Sequence, residues 1–155
     1  MKQHHYQLSL NWKDTNGCGT TSYKSYSRDH QVSKSTLTNI QLSSDPNFRG
    51  NPDKFNPEEL LVSSLSSCHL LWYLHLCAEN KIVVLKYNDS PEGWMEEESD
   101  GGGQFKEVIL RPEILIEGKE VPALAYSLHA EAHKKCFIAR SCNFPVKIEA
   151  IIKCF

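Results

Sequence analysis

Asn56-Pro57-Glu58-Glu59-Leu60-Leu61-Val62-Ser63-Ser64-Leu65-Ser66-Ser67-Cys68-His69-Leu70-Leu71-Trp72-Tyr73-Leu74-His75-Leu76-Cys77 is the stretch whose reading decides the fold. Its start carries the local signals of a helix N-terminus. Asn56 suits the cap, Pro57 the first helical position, and Glu58 and Glu59 place negative charge at the positive end of the helix dipole. Leu61, Leu65, Cys68, Trp72 and Leu76 then recur at spacings of four, three, four and four, which traces one face of an α-helix. Leu60, Leu71, Tyr73 and Leu74 widen that face until the helix is apolar almost all round. Such a helix belongs inside a fold or in an interface between subunits.

Working upstream, residues 43–56 (SSDPNFRGNPDKFN) are dense in Pro, Gly, Asn and Asp and read as a loop feeding the helix. Before them, Tyr6 to Leu42 has the pattern of an antiparallel meander. Tyr6, Leu8 and Leu10 alternate, Asp14-Thr15-Asn16-Gly17 supplies a turn, and Thr20 to Tyr26 is expected to resume as a strand. Downstream, Ile82 to Tyr87 reads as a buried strand and Ser90 to Gln104 as a mobile hairpin loop with a solvated acidic run, Glu96 to Glu98. Phe105 to Ile116 reads as another long strand or as a strand broken at Pro112. Pro122 opens a second helix in which Ala125, Leu128, Ala132 and Cys136 share a face, while Lys134 and Lys135 face solvent near its end. Asn143-Phe144-Pro145 is expected to stop that helix, and Val146 to Cys154 to form a last strand. The fold class is α+β, as a single domain over residues 1–155 without internal repeat.

A chain of 155 residues is long enough to bury about two-thirds of the surface that it exposes when unfolded. Lys and Arg together number 17 against 19 Asp and Glu, a formal charge of -2 with no basic stripe, so nucleic acid is not an expected partner. Met1 to Tyr6 lacks the apolar run of a secretory signal, and no window approaches 18 uninterrupted apolar residues. A cytoplasmic protein with no membrane association is the expectation. In a reducing compartment the six cysteines read as reactive thiols, metal ligands or small buried residues rather than structural bridges. Cys18, Cys77 and Cys154 are assigned to the buried, inert class.

Cys68 and Cys136 lie far apart in sequence, yet each is set in the apolar stripe of a helix, so the two thiols can meet in one core. Thiol redox chemistry follows as the leading idea. A thiol becomes a nucleophile only when it is held partly as thiolate, and burial alone raises its pKa, so a cation has to be supplied. Arg28, Arg49 and Arg140 are the candidates, with Glu58 as the carboxylate that would hold the arginine in place. Ten residues of continuous helix separate Glu58 from Cys68 by about 15 Å. Either the helix bends after Glu58 or the glutamate comes from a second copy of the chain, and the all-round apolar helix favours a homodimer with composite sites. Two rival readings stand beside this one. His129, His133 and Cys136, with Cys142, Cys68 or His69 as a fourth ligand, have helical spacing for zinc. A dimer that binds a small molecule without catalysis would leave Cys68 inert.

Asn56-Pro57-Glu58-Glu59-Leu60-Leu61, then Ser66-Ser67-Cys68-His69, and later Ala132-His133-Lys134-Lys135-Cys136, resemble the OsmC/Ohr family of organic hydroperoxide reductases, and Cys68-His69-Leu70-Leu71-Trp72 with Cys136-Phe137-Ile138-Ala139 resembles its OsmC-like subgroup. The resemblance implies an intertwined homodimer with antiparallel sheets flanking two central helices, and a cofactor-free, metal-free thiol peroxidase site at the subunit interface. It implies that Cys68 is the peroxidatic cysteine, Cys136 the resolving cysteine and Glu58 the carboxylate that orients an arginine. That arginine is Arg28 by one branch of the family and Arg49 by the other, with Arg28 favoured. Phe137 follows Cys136 where the better-known branches have proline, and Cys142 lies six residues further on as a second candidate resolver. The implied chemistry is attack of Cys68 on R-OOH, release of R-OH, and condensation of the resulting sulfenic acid to a disulfide that an external dithiol reduces. Leu65, Trp72, Phe48 and Phe137 would receive the organic group of the hydroperoxide.

Overall fold

Asn56 and Glu59 close the helix start reciprocally. The Glu59 amide donates to Asn56 Oδ1 at 2.7 Å, and the Asn56 amide donates to Glu59 Oε2 at 3.0 Å. From this capping box helix α1 (Pro57–Glu79) runs unbroken for 23 residues, as its apolar spacing predicts. The computed structural model describes residues 2–15, 17–35 and 38–155, and these form two compact units that divide at Leu60/Leu61. Met1 and Asn16, the latter part of the expected turn at 14–17, lie outside the described residues.

The first unit is built on an antiparallel three-stranded sheet, β1 (Ser9–Trp12), β2 (His30–Ser33) and β3 (Asn39–Leu42), in that spatial order. Leu10 stands opposite Val32, and Val32 opposite Ile40. The strand expected over Thr20–Tyr26 does not form; the segment is a succession of turns and bends. Its backbone groups find side-chain partners in place of a ladder. Ser25 Oγ donates to the carbonyls of Gly19 (2.8 Å) and Ser22 (2.9 Å), and Arg28 donates to those of Tyr23 and Tyr26 (2.6 Å each). Local hydroxyl and guanidinium donors outcompete the strand preference of the tyrosines. The loop at 43–56 forms as read and contains one 3-10 turn, Pro46–Phe48. It ends on Arg49 in the left-handed region (φ 66) and on Gly50, where a Cβ would lie 1.5 Å from the Ser44 carbonyl oxygen.

The second unit carries two three-stranded sheets. One has the order β4 (Val84–Asp89), β7 (Pro112–Ile116), β9 (Ile151–Cys154); the other has the order β5 (Glu92–Glu97), β6 (Gly103–Leu110), β8 (Val146–Ile148). β4–β7 and β5–β6 are antiparallel, whereas β7–β9 and β6–β8 are parallel, so the sheets are mixed. Several sequence expectations are corrected here. The first strand after α1 lies at a sheet edge, with Val83 and Leu85 about half exposed, instead of being buried. Most of the expected loop 90–104 is the β5–β6 hairpin, and only 98–102 turns, with Gly101 at φ 88. The last strand is two strands in different sheets. Of the two readings of Phe105 to Ile116, the structure has the broken one, with β7 starting at Pro112 immediately after Arg111.

Helix α2 (Ala123–Lys135) starts after Pro122 as predicted, but stops eight residues before Asn143. The backbone of Cys136 turns extended there (φ -65, ψ 112), its amide shared between the carbonyls of Ala132 and His133. The predicted face is correct: Ala125, Leu128, Ala132 and Cys136 are all buried. Two apolar clusters result. Leu65 of α1 packs with Val108 and Leu110 of β6, while Tyr73, Leu76 and Cys77 of α1 pack with Ile114, Ile116, Ile152 and the inner face of α2.

Leu65 is fully buried, so Leu65→Ala should lower unfolding stability by roughly 3 kcal/mol in urea denaturation. A loss below about 1 kcal/mol would show that the first cluster collapses to fill the space.

Candidate active site

Cys68 lies halfway along α1, between the turn anchored by Leu65 and the turn anchored by Tyr73, and is half-buried. It lines a pocket of about 380 Å³ with Leu71, Trp72, His75 and Phe137. The α1 members follow Cys68 by three, four and seven residues, the spacings of one helix face. Sequence reasoning missed Leu71 and His75 in this role, although that spacing could have found them. The Trp72 ring meets Phe137 and His75 edge-on, at centroid distances of 6.0 and 5.7 Å, and Lys135 Nζ lies 5.5 Å from the Trp72 ring centre. His75 Nε2 is 3.6 Å from the Glu79 carboxylate. Of the side chains expected to receive an organic group, Trp72 and Phe137 line the pocket. Leu65 does not, because it is enclosed with Val108 and Leu110, and Phe48 belongs to the 3-10 turn of the first unit.

The turn that ends α2 brings Cys136 to Cys68. The Cys68 thiol lies within interaction range of Cys136, and the Ala139 amide donates to Cys136 Sγ at 3.4 Å. Cys136 is fully buried, and burial first, then the contact with Cys68, pushes its thiol up to about 11. It therefore keeps its proton at neutral pH. Cys142, the second candidate resolver, donates its thiol hydrogen to the Ile138 carbonyl at 3.3 Å and packs against the Leu65 cluster. Cys77 is enclosed beneath Tyr73, and burial raises its pKa as well. The expectation of burial holds for Cys77 but not for Cys18, which is exposed, or for Cys154, which is half-buried at the sheet margin.

The cation candidates differ in setting. Arg28 is half-buried in the first unit, its guanidinium over the rings of Tyr26 (4.0 Å) and Tyr23 (4.6 Å). It lines a pocket of about 310 Å³ with Trp12, Tyr26, His30, Ser43 and Pro57 among others. Arg49 is exposed, and its backbone closes the 3-10 turn; Arg140 is exposed in the 3-10 turn Ala139–Ser141. Glu58 sits in the first turn of α1 and forms no salt bridge among the described residues. Helix α1 runs through both positions, with ten residues between Glu58 and Cys68.

His69 and His129, entertained as zinc ligands, instead contact each other. Their rings stack at 5.2 Å with His69 Nε2 2.9 Å from His129 Nδ1, and Tyr73 stacks on His129 at 4.0 Å. No group of three or more His, Cys, Asp or Glu side chains among the described residues is placed to hold a metal ion. Both histidines are buried, and desolvation lowers His69 to about 4 and His129 to about 3 from an ordinary 6.5. Each imidazole is neutral at pH 7.

A family model described as OsmC-like protein matches residues 50–150. An OsmC-like protein of unknown function from Vibrio cholerae is 30% identical and superposes with a TM-score of 0.86, over 96% of this chain and 100% of that one. Organic hydroperoxide resistance proteins from Elizabethkingia anophelis and Legionella pneumophila are each 18% identical with TM-scores of 0.67. They cover 99% and 97% of this chain, and 100% and 99% of their own. At that identity they share the fold. No curated protein matches the sequence.

The buried imidazoles make stability depend on pH in a defined direction. Their folded pKa values lie below the unfolded 6.5, so the unfolded chain binds more protons as the pH falls, and the native state is favoured fully only above about 6.5. Between pH 6.5 and 4 the urea midpoint should fall, by the equivalent of on the order of 3 kcal/mol. His129→Phe should have a shallower pH slope over the same range; an unchanged slope would assign the effect to other groups.

Proposed function

Since this chain belongs to the OsmC-like protein family, we propose that it reduces organic hydroperoxides to alcohols through a cysteine sulfenic acid and an intramolecular disulfide. The proximity of Cys68 and Cys136 beside an apolar pocket carries this reading. Structural neighbours that are themselves named organic hydroperoxide resistance proteins support a peroxide-related role.

In this mechanism the Cys68 thiolate attacks the terminal oxygen of R-OOH. The O–O bond breaks, its electron pair leaves with the alkoxide, which takes a proton to become R-OH, and sulfur is oxidised to sulfenic acid. Cys136 then attacks that sulfur as its own proton and the hydroxyl depart as water, giving the Cys68–Cys136 disulfide. An external dithiol returns both sulfurs to thiols by exchange and is oxidised to its own disulfide. The two cysteines suit unequal roles. Cys136, buried and held protonated, is poorly suited to first attack and well suited to wait beside Cys68 until a sulfenic acid forms.

Glu58 and Arg28 enter this scheme from a second copy of the chain, Arg28 stabilising the thiolate and the developing alkoxide charge and Glu58 orienting the arginine. Two observations favour a dimer. The unbroken helix keeps a chain's own Glu58 far from its Cys68. In addition, α1 is long and apolar enough, by length and composition, to cross a membrane, yet only 28% of its most apolar window is buried within the chain. A second copy covering the exposed remainder, Leu71 included, explains that composition.

Stopped-flow mixing of the reduced protein with cumene hydroperoxide tests the reading. Cys68→Ser should slow thiol oxidation by at least about 100-fold, and Cys136→Ser should stop at a sulfenic acid that dimedone traps. Equal, slow oxidation of wild type and Cys68→Ser would sink it. Peptide mapping of the oxidised wild type should recover Cys68 joined to Cys136, and a bridge to Cys142 would move the resolving role there.

A further inference from the structure

Lys135 lies beside a wall of the Cys68 pocket, and its setting differs from that of its neighbour. Lys134 is paired with the Glu131 carboxylate at 2.7 Å. Lys135 forms no salt bridge among the described residues, and its ammonium instead lies 5.5 Å from the centre of the Trp72 ring that walls the pocket. A helix C-terminus favours any basic residue equally, so the dipole of α2 explains both lysines and not this difference.

The rest of the pocket is Leu71, Phe137, the indole of Trp72 and the imidazole of His75, a lining that would accept a neutral alkyl or aryl group without help from a charge. Its volume of about 380 Å³ falls within the size of small-molecule sites. On α1, Glu79 holds His75 at 3.6 Å, seven residues beyond Trp72, whereas Glu131, within electrostatic reach of Lys135, is itself paired with Lys134, so the charge beside the pocket runs from positive at Lys135 to acidic near Glu79. An anionic group on a bound molecule is drawn to the Lys135 end and repelled from the other.

We propose that Lys135 is a specificity-determining residue: held beside the Trp72 ring that lines the pocket, it selects hydroperoxides whose carbon skeleton also carries a carboxylate. This deepens the peroxidase reading and rests on it. The carboxylate takes up the ammonium that otherwise lies on the indole face, while the skeleton packs against Trp72 and Phe137 and the peroxide reaches Cys68.

Cumene hydroperoxide and its para-carboxylate differ by one ionised substituent and serve as matched probes. Turnover is measured with dithiothreitol as reductant for wild type, Lys135→Ala, Lys135→Arg and Lys135→Glu. The ratio of kcat/KM for the carboxylate to that for the neutral peroxide should fall about fivefold in Lys135→Ala, recover in Lys135→Arg and fall further in Lys135→Glu. In wild type that ratio should shrink as salt is raised. A ratio that stays the same across the variants, or equal losses for both peroxides, would overturn the assignment and leave Lys135 acting on the sulfur or on packing. Inactivity of wild type toward both peroxides would instead bring down the peroxidase reading, and this assignment with it.

Discussion

The rest of the second unit depends on how α1 is pinned. Leu65 is enclosed by Val108 and Leu110 of one sheet, while Tyr73, Leu76 and Cys77, two to three turns later, are enclosed by Ile114 and Ile116 of the other sheet and by α2. Polar ties reinforce both points. Ser66 Oγ donates to Asp89 Oδ2 at 2.5 Å, Asp89 Oδ1 accepts the Arg111 amide at 2.7 Å, and the Tyr73 hydroxyl donates to the Ala125 carbonyl at 3.2 Å. A rigid helix held at two places cannot rotate. Cys68, between them, is therefore held at one azimuth, facing the pocket made with Trp72 and Phe137.

The same packing makes the two sulfurs chemically unequal. Cys136 follows the last turn of α2, where the chain bends back, and burial there keeps its proton in place. Cys68 stays partly open to the pocket. A nucleophile has to be reached by substrate, whereas a resolving thiol has only to be near and to have a proton to give up. One buried and one half-buried position, close to each other, suit both demands of the proposed scheme. The residue that follows Cys68 points elsewhere: His69 is buried against His129, and both rings are held neutral by desolvation. No imidazolium is created there at neutral pH to compete for a carboxylate or to unsettle the core.

Where local and long-range forces agreed, the sequence was readable. The capping signals at Asn56 to Glu59, the four-and-three spacing of α1 and the inner face of α2 all appear in the structure as read. Where local side chains or distant strands supply the backbone partners, reading failed. Thr20–Tyr26 has the composition of a strand, but the Ser25 hydroxyl and the Arg28 guanidinium, only a few residues away, take up its carbonyls. Glu92–Glu97 looks like a solvated acidic loop, and becomes a strand because Phe105 to Ile109 offers it a ladder with a bulge at Trp94 and Met95. Val146 to Cys154 looks continuous, yet β6 and β7 belong to different sheets and each takes half of it.

The sequence by itself determined that a long apolar helix starts at Pro57 with Cys68 on its face, that a second helix presents Ala125, Leu128, Ala132 and Cys136 together, and that these motifs resemble one family. Those facts rest on short-range physics, the cap, the dipole and the 3.6-residue period, which act within a few residues of each other. Only the tertiary structure decided that the Cys136 thiol comes within range of Cys68 while that of Cys142 is turned to the Ile138 carbonyl, that Trp72, His75 and Phe137 line one pocket with Cys68, and that Lys135 lies 5.5 Å from the indole of Trp72. These are contacts between side chains up to about seventy residues apart, set by how α1 and the turn after α2 pack on two sheets, and no local pattern carries that information.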